Sequence, residues 1–154
     1  MILYYLDASA WVKRYYQELG TPWVESLFTR NQFLGSAALG FVEVTATLAR
    51  KQLAERMDDA TLAGFFQRLE KDWDDFYQVH LDPAMLETAV AFARTLRLRG
   101  ADAIHLAAAA RLSQHLLGEA DRFLFVVSDA DLKQAAQAIG LTVLDPEEQP
   151  AAAP

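Results

Sequence analysis

Ile2-Leu3-Tyr4-Tyr5-Leu6-Asp7-Ala8-Ser9 is the stretch whose reading decides the fold. Five apolar or aromatic residues in a row describe a strand buried on both faces, as in a parallel sheet. The run stops at a carboxylate, and beyond it Trp11, Val12, Tyr15 and Tyr16 recur at helical spacing. Strand, Asp-x-Ser, helix places Asp7 at the carboxyl end of a strand, where open α/β sheets bind ligands. An Asp that merely caps the helix is the plainer alternative.

Working outward, the first helix is expected from Ser9 to Gln17, stopping near Gly20. Thr21-Pro22 opens a second, with Thr as cap. Gln32 to Ser36 reads as a short strand, and Ser36 as the cap of a longer helix through about Leu53. Asp58 or Asp59 starts a helix carrying Leu62, Phe65, Phe66, Leu69 and Trp73. These two helices read as a hairpin with more apolar surface than one face needs: a docking surface, or a thick core. Phe76 to Leu81 is a third strand, and Asp82-Pro83 caps the next helix. An alanine-rich helix follows from Ala101 to Leu117. Arg122 to Val127 is a second strongly buried strand, again ending at a carboxylate, in Ser128-Asp129. A helix to Gly140 and an edge strand, Leu141 to Leu144, complete the pattern. Residues 146–154 read as a loose tail behind a single domain spanning 1–145. Strands alternating with helices predict an α/β fold: a mostly parallel sheet, helices on both faces, right-handed crossovers.

The 154-residue chain is 53% hydrophobic and 23% charged, a globular composition. It contains no cysteine, which excludes thiolate metal sites and thiol nucleophiles and fits a reducing cytoplasm. No signal peptide or spanning segment is visible, so a cytoplasmic location without membrane contact is expected. The formal charge of −7 argues against non-specific nucleic-acid binding. Acids neutralised in a metal site, or carried on a tail, weaken that argument.

Asp7, Glu43, Asp102 and Asp129 stand out because each is embedded in apolar sequence. An unpaired buried carboxylate costs several kcal/mol or takes up a proton. Divalent cations hold such acids together, and oxygen donors without His or Cys spacing favour Mg²⁺ or Mn²⁺ over Zn²⁺. Asp102 and Asp129 are alternatively plain helix caps. His105, one turn after Asp102, is a candidate base or a core histidine that orients its helix. Ser9 and Ser128 are candidates for holding water at a metal or for capping, and Asp131 is a further acid near Asp129. Tyr4, Tyr5, Tyr15 and Tyr16 could stack bases, with Tyr4 and Tyr5 better placed in the strand core. Phosphate loops, hydrolase elbows and dinucleotide fingerprints are missing.

Taken together, these segments resemble the PIN-domain family, specifically the VapC-type ribonuclease toxins of bacterial toxin–antitoxin pairs, from Tyr5 to about Leu144. Tyr5-Leu-Asp-Ala-Ser-Ala-Trp-Val-Lys-Arg-Tyr resembles the family's opening strand and first acid, and Glu18-Leu-Gly20 its follow-on. Phe41-Val-Glu-Val-Thr-Ala-Thr-Leu-Ala-Arg50 resembles the helix of the second acid. Ala101-Asp-Ala-Ile-His-Leu-Ala-Ala-Ala, the most specific piece, resembles the third. Val126-Val-Ser-Asp-Ala-Asp-Leu-Lys-Gln-Ala-Ala resembles the fourth, with one departure: many relatives carry Thr or Ser two residues before the acid, whereas Ser128 directly precedes Asp129. Asp131 therefore stays an alternative to Asp129.

The resemblance implies a three-layer α/β/α domain with a protruding helical hairpin. It implies an Mg²⁺-dependent (or Mn²⁺-dependent) endoribonuclease, with Asp7 and Asp102 as main metal ligands and Glu43 and Asp129 completing the cluster. Lys13, Arg14, Arg50 and Arg99 are candidate phosphate contacts or solvated surface charges. Implied partners are RNA, a VapB-like antitoxin that covers the site, and a second copy of the chain, with Leu62, Phe65, Phe66 and Leu69 as the homodimer surface. The alternatives are a housekeeping RNA-processing nuclease using the same acids and a non-catalytic PIN-like binding module. A phosphatase-like hydrolase is more distant.

Overall fold

The structure is a computed structural model that describes residues 1–30, 32–115, 118 and 120–151. Five parallel strands form one sheet: β1 (Ile2–Leu6), β2 (Phe33–Ala37), β3 (Tyr77–Val79), β4 (Arg122–Val126) and β5 (Val143–Leu144). Their order is β3-β2-β1-β4-β5, so β1 lies at the centre. It pairs with β2 through Tyr4↔Leu34 and with β4 along its whole length, from Ile2↔Arg122 to Leu6↔Val126. A central strand flanked on both sides explains why residues 2–6 are continuously apolar rather than alternating.

Successive side chains of β1 point to opposite faces and enter two separate cores. Tyr4 and Leu6 join Trp11, Trp23, Leu27, Val44, Leu48, Leu69 and Phe76 on one side. That layer is built by α1 (Ala8–Trp11), α2 (Thr21–Thr29), α3 (Ala38–Glu55) and α4 (Asp59–Asp74). Tyr5 joins Phe125, Met85, Leu106 and a block of alanines on the other. That second layer is α5 (Pro83–Leu96), α6 (Gly100–Gln114) and α7 (Ala130–Ala138). The result is a three-layer α/β/α arrangement. The alanines of α6 serve a packing purpose: Ala103, Ala107, Ala108 and Ala109 are buried, letting the helix lie close to the sheet.

The 18 residues of α3 span about 27 Å, more than a five-residue strand can cover. Its far end and the turn into α4 are accordingly exposed. The apolar residues of α4 face inward, however, whereas Val42 and Leu53 of α3 are exposed. Leu69 is fully buried, and Leu62, Phe65 and Phe66 pack against the core with Trp73. Phe41 stacks on Trp73 at 5.4 Å, and Trp11 on Phe76 at 4.6 Å. Of the four residues expected to form a homodimer surface, Leu69 is thus buried, while Leu62, Phe65 and Phe66 are half-buried against the core.

Several local expectations change. Ser36 does not cap α3; it lies in β2, and its hydroxyl donates to the Leu6 carbonyl at 2.7 Å across the sheet. Ala37 takes the cap position instead, without a side-chain bond. Gly20, in a left-handed conformation (φ 89°), rather than Thr21, precedes α2. Residues 146–148 are not loose: they form a 3₁₀ turn whose Pro146 is buried. The expected end of α6 at Leu117 and the last residues of the tail, 152–154, lie outside the described residues. Among the described residues, no helix is long and apolar enough to cross a membrane.

Candidate active site

Strand order reverses at β1, with β2 and β3 to one side and β4 and β5 to the other. Open parallel sheets bind ligands outside their carboxyl ends at such a reversal. Asp7 follows β1, while Ser128 and Asp129 follow β4, its neighbour. The Asp7 N–H donates to the Val126 carbonyl at 3.1 Å, which fixes the two chain ends side by side.

Asp7 is the N-cap of α1 as well as a candidate site residue. It accepts the Ala10 N–H at 3.1 Å and, on both carboxylate oxygens, the Ser9 hydroxyl at 2.9 and 2.8 Å. Ser9 Oγ in turn accepts the Ser128 N–H at 3.1 Å. Asp7 is 4% exposed and has no ion-pair partner among the described residues. Burial pushes its carboxyl up to about 6, against the opposing pull of His105, the Ser9 hydroxyl and the Ala10 N–H.

Asp129 caps α7 by accepting the Leu132 N–H at 2.9 Å, and Asp102 lies in the first turn of α6. Arg99 joins them: its Nε donates to Asp102 Oδ2 at 3.1 Å and its Nη2 to Asp129 Oδ2 at 3.3 Å. It is thus Asp129 that Arg99 couples to Asp102, while Asp131 lines an adjacent cavity of about 490 Å³ with Asp102, Arg97 and Arg99. Glu43, in the second turn of α3, accepts from His105 Nε2 at 2.6 Å. A second cavity of about 360 Å³ runs past Ser9, Glu43, Thr47 and Arg50. The acids lie between two grooves, each carrying arginine.

Among the described residues, no three His, Asp or Glu side chains are gathered into a group that could hold a metal ion. The physical reason is that each acid already has a partner: Ser9 on Asp7, His105 on Glu43, Arg99 across Asp102 and Asp129. The chemistry of the donor set nevertheless fits a hard dication, being carboxylate oxygen throughout. Two observations support that fit. A guanidinium sits across two of the carboxylates, supplying the positive charge they require. The Ser128 hydroxyl beside them is buried without a hydrogen-bond partner, a polar atom that ordinarily finds one.

Two expected phosphate contacts are committed elsewhere. Lys13 is buried, its ammonium bonded to Glu147 at 2.8 Å and Glu18 at 3.2 Å. Arg14 bonds Asp72 at 3.2 Å and lies over the Phe28 ring at 4.4 Å, lining a different cavity with Phe33 and Tyr77. Arg50 and Arg99 border the acids. Sequence reasoning weighed Tyr5 only for base stacking or the strand core: its ring is core, but its hydroxyl accepts the Ala37 N–H at 3.2 Å and meets His105 Nδ1 at 2.9 Å. A tyrosine two residues before Asp7 in an otherwise apolar strand was the available signal.

Comparison with known proteins identifies the family. The PIN domain family profile matches residues 4–139. Ribonucleases VapC45 and VapC49 of Mycobacterium tuberculosis, from strains CDC 1551 / Oshkosh and ATCC 25618 / H37Rv respectively, are each 36% identical to the chain over 113 residues. Those residues are 71% of this chain and 76% of each relative. A solved toxin–antitoxin complex from Klebsiella pneumoniae superposes with a TM-score of 0.63 at 15% identity, covering 94% of this chain and 98% of that one. With the profile matching most of the chain and 36% identity to these ribonucleases, the chain belongs to the PIN-domain family, among proteins of the VapC type.

Proposed function

We propose that this protein is an endoribonuclease that hydrolyses RNA phosphodiester bonds with Mg²⁺, or Mn²⁺ in its place, and that it is the toxin of a VapBC-type pair. The observation that carries the reading is the delivery of acids from four separate elements to one edge of the sheet. Asp7 lies there buried, with no lysine or arginine in ion-pair contact among the described residues. Asp7 and Asp102 would be the main metal ligands, with Glu43 and Asp129 completing the set. When bound, the ion supplies positive charge against the phosphate and acidifies water for in-line attack. The chain's own residues do the rest. Ser9 fixes the Asp7 carboxylate and ties it to the loop after β4. Arg50 and Arg99 offer guanidinium groups to phosphates in the two flanking grooves. The name of the two Mycobacterium relatives supports the ribonuclease activity, and the Klebsiella complex supports a protein antitoxin. A VapB-like partner would meet an anionic pocket, which favours insertion of one of its basic side chains.

The test is Asp7→Asn combined with Asp102→Asn. RNA cleavage in Mg²⁺ should fall to background while the far-UV spectrum stays native; retained cleavage overturns the assignment. For the biological role, expression of the wild-type chain should arrest growth, a short antitoxin-like reading frame should lie directly upstream of its gene, and co-expressing that frame should relieve the arrest. Cleavage without arrest would identify an RNA-processing enzyme instead.

A further inference from the structure

A buried hydrogen-bond chain links three elements behind Glu43. The Ala37 N–H, at the start of α3, donates to the Tyr5 hydroxyl at 3.2 Å. The same hydroxyl meets His105 Nδ1 at 2.9 Å, and in a neutral ring the Glu43 carboxylate on the other nitrogen, which only accepts, leaves Nδ1 to take the hydroxyl proton. A ring that accepts at Nδ1 carries its proton on Nε2, and Nε2 lies 2.6 Å from Glu43 Oε2. His105 is 2% exposed. With one ring nitrogen accepting and the other donating, neither is open to a substrate proton.

Packing reinforces the chain. A Cβ on Gly40, one turn before Glu43, would stand 2.7 Å from Ser36 Oγ and 3.1 Å from His105 Cε1. Only glycine lets α3 approach the imidazole this closely. Glu43 itself is a long, half-exposed side chain whose three torsions are otherwise free to spread over several rotamers.

We propose that Tyr5 and His105 form a fixed-tautomer relay whose task is to position Glu43 for a divalent cation. His105 is thereby a positioning residue, not a general base. The ring holds one carboxylate oxygen of Glu43 and would leave the other available to a divalent cation. The proposal rests on the metal-dependent reading above, and its test separates the two.

Long-range ¹H–¹⁵N spectra of the metal-free protein, labelled at histidine, read the tautomer directly. His105 should carry its proton on Nε2 at pH 7.5; a proton on Nδ1 overturns the relay. Calorimetric Mn²⁺ titration then compares the wild type with Tyr5→Phe, His105→Gln and His105→Leu. Loss of the donor in His105→Leu should weaken Mn²⁺ binding about tenfold or more. Tyr5→Phe should mix the tautomers and weaken binding about threefold, while His105→Gln, which keeps an amide N–H, should stay within about threefold of wild type. Tyr5→Phe removes a single oxygen, so it decides the matter should His105→Leu fail to fold. Unchanged affinity in the variants, with a wild type that binds Mn²⁺, overturns the relay and leaves the nuclease reading standing. A wild type that binds no Mn²⁺ overturns the metal reading, and the relay's role with it.

Discussion

With the Ser9 hydroxyl across both its oxygens and no cation in contact, the Asp7 carboxyl titrates at about 6 in the folded chain, against about 3.9 in an unfolded one. Between those values the native state binds more protons than the unfolded state, so this group makes stability fall as pH rises. Its cost is absent below about pH 4 and complete above about pH 6, and amounts to a few kcal/mol at most. Asp7→Asn lacks the ionisation. In EDTA at pH 7.5 it should be more stable than wild type by about 1–2 kcal/mol in urea unfolding, although inactive. At pH 4 the two curves should converge, and Mg²⁺ should stabilise the wild type alone. An unchanged gap at both pH values would show that Asp7 is not carrying its charge in a desolvated site.

At the scale of elements, Gly20 has the most constrained backbone in the first layer. Its φ of 89° is open to glycine, and a Cβ would meet the Pro146 carbonyl carbon and oxygen at 2.9 Å. Gly20→Ala combines left-handed strain with a backbone clash and should cost about 2 kcal/mol or more, read as a lower urea midpoint with unchanged slope. This approach of distant backbone also shows where sequence was legible and where it was not. The strands announced themselves through continuous apolar runs, because a central parallel strand has no solvent face to record. Asp58, Asp82 and Asp129 were readable as caps because a cap is a local bond spanning three residues. Ser36, Lys13 and Arg14 were not, since their partners lie 30, 134 and 58 residues away. Acids after Pro146 looked solvated until a buried lysine required one of them. The four candidate acids were visible for the opposite reason: carboxylates in apolar surroundings conflict with their own sequence context. The relay behind Glu43 was hidden, because a tyrosine suits a buried strand equally well for its ring alone.

For the whole molecule, a net charge of −7 means that affinity for a polyanion must be concentrated where arginines gather. The grooves on either side of the acids carry Arg50 and Arg97, which touch opposite flanks of the site. A strand lying across both would be held similarly in ground and transition states. Arg50→Ala with Arg97→Ala should therefore raise KM for RNA with kcat nearly unchanged. The dependence of affinity on salt should also flatten, by about 0.7 in log–log slope for each phosphate no longer paired with a guanidinium. A fall in kcat at constant KM would place these arginines in the chemistry instead.

The bond from Lys13 to Glu147 gives the carboxyl terminus an importance its composition conceals. Lys13 follows α1 directly, and α1 begins on the Asp7 carboxylate. Clipping the chain just beyond Asp145 would strand that ammonium in the interior with Glu18 as its remaining counter-charge. Trimming at a site distant in sequence would thus loosen the first turn after β1, on which the candidate site is built.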